Sequence, residues 1–133
     1  MALGKKLVLF SEVTAVVVNG GRPVAGAEVV QTVSWSTKPP RTSPKVVSDA
    51  AGRVHLPAVV ETSLLAGFLP HEPVIEQSLV IRHDGREFEG WALIKHDYLE
   101  NGETGGRALR LVCDLAAVPR YEGDWYGICR LEP

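Results

Sequence analysis

Apolar and polar residues alternate over short distances along most of this chain, and each alternating run stops at a turn. The run Val13-Thr14-Ala15-Val16-Val17-Val18 is rich in β-branched side chains, which fit a pleated surface better than a helix. Val29, Gln31, Val33 and Trp35 alternate with Val30, Thr32 and Ser34, so one face of that run is the more apolar. Phe88, Gly90, Ala92 and Ile94 alternate with Glu89, Trp91 and Leu93, and strict alternation puts Trp91 across the pleat from Phe88. Leu109, Leu111 and Cys113 share one side of 107–114. Asn19-Gly20 and Asp84-Gly85 tolerate positive φ and have the chemistry of primed hairpin turns. Gly26 predicts a bulge or bend within 24–30. The prolines of Lys38-Pro39-Pro40-Arg41-Thr42-Ser43-Pro44 lack ladder donors, so this segment reads as an exposed loop. Leu7 to Phe10 reads as a first strand and Trp125 to Leu131 as a last one. Ala58 to Leu69 fits a short helix face through Leu64, Leu65 and Phe68, or a strand, and its position favours the strand. The pattern predicts an all-β chain, an antiparallel β-sandwich of about 7–9 strands with at most one short helix.

Composition narrows the class. At 133 residues with 45% hydrophobic residues, one domain over 1–133 can bury an ordinary core. Thirteen glycines and nine prolines punctuate short elements and argue against long helices. A net charge of −2 and the lack of a Lys/Arg cluster give nucleic acid nothing to follow, so no nucleic-acid partner is expected. No run approaches the roughly 20 apolar residues of a spanning helix, so no membrane partner is expected either. Met1 to Phe10 has the beginnings of a signal peptide, but its apolar run ends at Ser11-Glu12 and it reads as a strand. Cys113 and Cys129 can pair only if neighbouring strands bring them together. Without an export signal two buried free thiols are expected, and cytoplasmic residence with them.

Two stretches carry a family resemblance. Asn19-Gly20-Gly21-Arg22-Pro23-Val24-Ala25-Gly26-Ala27-Glu28-Val29, followed by Ser48-Asp49-Ala50-Ala51-Gly52-Arg53-Val54-His55-Leu56-Pro57, resembles the paired hairpins of carboxypeptidase regulatory-like domains, which are transthyretin-like (prealbumin-like) β-sandwiches. The later segments Phe68 to Ile75 and Leu111 to Leu115 are similar to a small uncharacterised bacterial family built on that sandwich. The resemblance implies a sandwich fold, and it implies an accessory module rather than a catalyst, since fold alone grants no activity. The wider group includes hydroxyisourate hydrolases with a C-terminal Tyr-Arg-Gly-Ser tail. This chain ends Ile128-Cys129-Arg130-Leu131-Glu132-Pro133, so hydrolase activity is not expected.

The residues bear on four kinds of chemistry. No G-x-S-x-G and no P-loop is present, and alternation assigns Cys113 to an apolar face rather than to a Cys–His dyad, so no enzyme and no cofactor is expected. His55, His71, His83 and His96 lie far apart in sequence without H-x-H or H-E-x-x-H spacing, and polar strand ends explain them better than a metal site. Trp35, Trp91, Trp125, Tyr121 and Tyr126 are the aromatics from which a sandwich could build a sugar-stacking platform. The preferred expectation is a protein-binding module, an accessory, adaptor or immunity protein beside a bacterial secretion system. Trp91 is its expected anchor, Arg86 and Glu89 its polar rim, and a free strand edge its route to a homo-oligomer.

Overall fold

A computed structural model describes residues 5–35, 38–63 and 72–133. In chain order these form β1 (Lys5–Phe10), β2 (Val13–Asn19), β3 (Arg22–Pro23), β4 (Glu28–Trp35), β5 (Arg41–Thr42), β6 (Val46–Val47), β7 (Arg53–Leu56), β8 (Val59–Ser63), β9 (Ile75–His83), β10 (Arg86–Lys95), a 3-10 turn at Gly102–Thr104, β11 (Leu109–Asp114), β12 (Arg120–Glu122), β13 (Trp125–Gly127) and β14 (Cys129–Leu131). The larger sheet has the order β12-β13-β10-β9-β4, with β5 and β6 both on the far side of β4. The smaller has the order β14-β11-β2, with β3 and β7 sharing the other side of β2. β1 pairs with β8 as a separate ribbon. β2 and β11 run parallel.

Alternation decides which side chains meet between the sheets. Val13, Ala15 and Val17 of β2, Val54 and Leu56 of β7, and Leu109, Leu111 and Cys113 of β11 face Val29 and Val33 of β4 and Leu79 and Ile81 of β9 in one buried cluster. The architecture is the all-β sandwich that the pattern predicts. Asp84 (φ 49) and Gly85 (φ 71) join β9 to β10 as the expected primed turn. The first hairpin instead turns at Gly20 (φ 61) and Gly21 (φ 86), one residue beyond the expected Asn19-Gly20, and Asn19 pairs with Arg22 as the end of β2.

The Gly20-Gly21 turn opens a hairpin much shorter than the pattern predicts. β3 is two residues long, and the chain then bends at Gly26 and crosses to the other sheet as β4. Ser48 fixes this crossing. Its hydroxyl donates to the Val24 carbonyl at 2.6 Å and accepts from the Ala27 amide at 2.9 Å. Asp49 Oδ1 then accepts from the Ala51 and Arg53 amides, which shapes the turn into β7. Of the ambiguous 58–69 segment, Val59–Ser63 is a strand, and 64–69 lie outside the described residues.

Two expectations are corrected. The first is the face of Trp91. The β10–β9 register pairs Glu89 with Val80 and Trp91 with Leu79, so Gly90 is an extra residue in a bulge. The bulge resets the alternation. Phe88 packs on the core before it, and Trp91, Leu93 and Lys95 turn inward after it. Trp91 is fully buried, which removes it as a surface anchor. The second correction concerns the cysteines. β11 and β14 place Cys113 directly opposite Cys129, and the two form a disulfide. The cysteines are therefore not free thiols, and they lend no support to cytoplasmic residence.

β14 reaches the smaller sheet because the chain switches sheets at Gly127. β13 pairs with β10 through Tyr126 and Ala92, and soon afterwards Cys129 pairs with Cys113. Gly127 has φ 143, and a Cβ there would lie 2.2 Å from the Gly90 carbonyl oxygen. Glycine at Gly127 lets the two backbones cross this closely.

The ammonium of Lys95, almost wholly buried, ties the loop after β10 to β1. Its three N–H groups are shared among four acceptors, the carbonyls of Val8, Asp97 and Leu99 and Asp97 Oδ1, all within 3.0 Å. Burial raises the Asp97 pKa, but the hydrogen bonds from Lys95 and from the Leu99 amide outweigh it and hold the carboxyl below its ordinary 3.8. A carboxylate with a depressed folded-state pKa contributes stability above its unfolded value and loses it as pH falls through the folded one. The stability difference between wild type and Asp97→Asn, measured by denaturant titration, is therefore expected to be largest near neutral pH and to shrink below pH 3.8. A difference that does not change with pH contradicts this.

Candidate functional site

The hairpin of β12 and β13 presents two aromatic faces because its residues alternate. Trp125 points inward. Tyr121 and Tyr126, directly paired across the hairpin, point outward with ring centroids 5.1 Å apart and planes tilted by 59°. Tyr121 is 72% exposed, so its ring face is open to solvent beside Tyr126. Register then carries one row across the larger sheet. Tyr121 pairs with Tyr126, Tyr126 with Ala92, Ala92 with Ser78, and Ser78 with Thr32. Three small side chains on adjacent strands make a floor, and the tyrosines make a wall. The result is a groove of about 800 Å³ on the outer face of the larger sheet, its lining including Ile94, Glu76, Ser34, Pro40, His96 and Asp124. Ile94 is half exposed within it.

The wall stands on a rigid base. Trp125 stacks on Trp91 with centroids 4.8 Å apart and planes at 17°, and its Nε1 donates to the Cys129 carbonyl at 3.1 Å. Trp91 Nε1 donates to Gln77 Oε1 at 3.0 Å, and Gln77 Nε2 donates to the Leu9 carbonyl and to Glu103 Oε2. Glu103 is buried and also accepts from the Ser11 amide and hydroxyl at 2.8 and 2.7 Å. Arg130 on β14 donates to the Arg120 carbonyl at 3.1 Å and lies 3.5 Å from Glu122. Burial holds its guanidinium below the ordinary value, the nearby Arg120 charge adds to this and Glu122 opposes it. The disulfide fixes β14 beside the hairpin. A stacked indole pair, an internal polar chain, a guanidinium and a covalent bond thus all support the strands that carry Tyr121 and Tyr126.

The expected site residues fall elsewhere. Arg86 and Glu89 are exposed on the turn side of the Gly90 bulge, with the Arg86 guanidinium 4.9 Å from the Phe88 ring. They do not gather around Trp91, which lies in the core. Of the five aromatics proposed for sugar stacking, Trp91 and Trp125 are buried, and Trp35 packs edge-on against Tyr98. Tyr121 and Tyr126 alone of these line the groove. His55, His83 and His96 each approach a different carboxylate, of Glu12, Asp84 and Glu72, and His71 lies outside the described residues. Among the described residues no three or more His, Cys, Asp and Glu side chains form a metal-holding group, and no helix is long and apolar enough to cross a membrane.

The family model of DUF6795, a domain of unknown function, matches residues 13–118. The chain belongs to the DUF6795 family. The DUF6795 match takes in β4, β9 and β10, which form the groove floor, together with Cys113. It stops short of β12 to β14, so the tyrosine wall and Cys129 lie beyond the matched span. No curated protein and no solved structure matches this DUF6795 chain.

Proposed function

We propose that this DUF6795 protein is a non-catalytic binding module and that the groove on its larger sheet is the binding site. The observation that carries the reading is the exposed Tyr121–Tyr126 pair held over a floor of small side chains by a buried, cross-linked base. A volume of about 800 Å³ suits a small ligand or a segment of a larger one, since ligand sites span roughly 300–1,000 Å³. Preorganised rings bind at low entropic cost, because ordering them is completed during folding. The lining offers carboxylates, a histidine and hydroxyls as hydrogen-bonding partners for a ligand beside the aromatic wall.

A protein partner is the second reading. It is supported by Ile94 and Tyr121, two exposed apolar side chains in the groove, Tyr121 lying on the edge strand β12. The carboxypeptidase regulatory-like resemblance of the two N-terminal hairpins supports an accessory role under either reading. A disulfide forms and persists in oxidising surroundings, so the proposed working compartment is an oxidising one.

The groove is tested without knowing its ligand. Mixtures of small polar and aromatic fragments, titrated into isotope-labelled protein, are expected to shift the NMR signals of Tyr121, Tyr126, Ala92 and Ile94 before others. Shifts concentrated on Arg86 and Glu89 instead, or scattered over the surface, would overturn the assignment.

A further inference from the structure

We infer that the ligand of the groove is a neutral oligosaccharide, an inference that rests on the groove being the binding site. The chemistry of the lining favours this class over a strand-adding peptide, an amphipathic helix or an anion, and the binding test separates a cationic peptide from it. A peptide added as a strand needs an unpaired sheet edge. The floor residues Thr32, Ser78 and Ala92 sit on β4, β9 and β10, interior strands paired on both sides, so a ligand there meets side chains and not open ladder groups. β12 is the free edge of this sheet, but a strand added to it would lie beyond the tyrosine wall and not on the floor. An amphipathic helix needs a continuous apolar trough. Pro40, Ala92, Leu93 and Ile94 supply apolar surface here, but the hydroxyls of Thr32, Ser34 and Ser78 and the carboxylate of Glu76 interrupt it. Phosphate, nucleic acid or an acidic peptide needs cations. Among the described residues no lysine or arginine lines the groove, and Glu76 and Asp124 make it electronegative.

A pyranose matches what remains. One face of the ring is a patch of C–H groups that packs on an aromatic ring, and its rim is a row of hydroxyls that are both donors and acceptors. Tyr121 offers an exposed ring face and a hydroxyl, and Tyr126, its plane tilted by 59°, adds a second aromatic surface beside it. The carboxylates of Glu76 and Asp124 accept only, the right partners for sugar hydroxyl donors, and the serine and threonine hydroxyls can take either role. The groove is open to solvent along the sheet face, so a chain of sugars can run across it rather than end in it.

The test uses the full chain with its disulfide intact. Short linear oligosaccharides of glucose, mannose, xylose and N-acetylglucosamine are titrated in by calorimetry and by NMR. At least one series is expected to bind and to shift Tyr121 and Tyr126. Tyr121→Ala is expected to weaken that binding by about tenfold or more, and Tyr121→Phe to retain most of it, since the ring face carries the contact. Tyr121 is largely exposed, so both variants should unfold at nearly the wild-type midpoint, which is checked first. If no sugar series shifts the groove but a lysine-rich peptide or another fragment does, the carbohydrate assignment is overturned and the groove stands. If nothing shifts the groove, both readings fall.

Discussion

Trp91→Ala will lower stability by about 3–5 kcal/mol, the range for removing a large buried aromatic side chain. The magnitude follows from what the ring touches. It is fully buried, it stacks on Trp125, and its Nε1 donates to Gln77. Removing it opens a cavity under the β12–β13 hairpin and leaves Gln77 Oε1 without its donor, at the head of a chain that ends on buried Glu103. Denaturant unfolding of the purified variant measures the loss directly. A loss under about 1 kcal/mol would mean that the indole is a surface group, because exposed positions rarely cost more than roughly half that. Trp91→Phe keeps the stack and loses the hydrogen bond, so it should fall between wild type and Trp91→Ala.

The second large effect belongs to the disulfide. Cys113 and Cys129 are 16 residues apart, and closing a loop of that size restricts the unfolded chain by about 3 kcal/mol. Replacing both by serine, or unfolding the wild type under reductant, is expected to lower stability by about that amount. The loss should reach the groove as well, because β14 underlies the hairpin through Arg130 and the Cys129 carbonyl. Thiol titration of unreduced, denatured protein should find no reactive thiol. Identical unfolding midpoints with and without reductant would contradict the pairing.

Local chemistry made much of the fold legible in sequence. Asp84-Gly85 is a primed turn because those two residues tolerate the required φ, and Val13 to Val18 is a strand because β-branched side chains favour one. What could not be read depended on register. One extra residue at Gly90 sends Trp91 to the face opposite the one that strict alternation assigns, and alternation itself carries no sign of the bulge. The groove floor joins Thr32, Ser78 and Ala92, which become neighbours only once β4, β9 and β10 pair. Tyr121 and Tyr126 are visible as aromatics, but the separation of Tyr126 from Trp125 depends on the pleat of the three-residue β13, and that of Trp91 on the Gly90 bulge. The Ser11–Glu103 hydrogen bonds span 92 residues, and no local pattern announces such a pair.

The groove is probed most sharply by comparing fragment binding between the wild type and Ser78→Trp. Ser78 lies in the middle of the floor on the outer face of the sheet, so a large side chain there fills the groove without entering the core. Ser78→Trp is expected to fold with a near-wild-type unfolding midpoint and to lose the ligand-induced shifts at Tyr121 and Ile94. A folded Ser78→Trp variant that binds the same fragments with unchanged shifts would show that the ligand sits elsewhere.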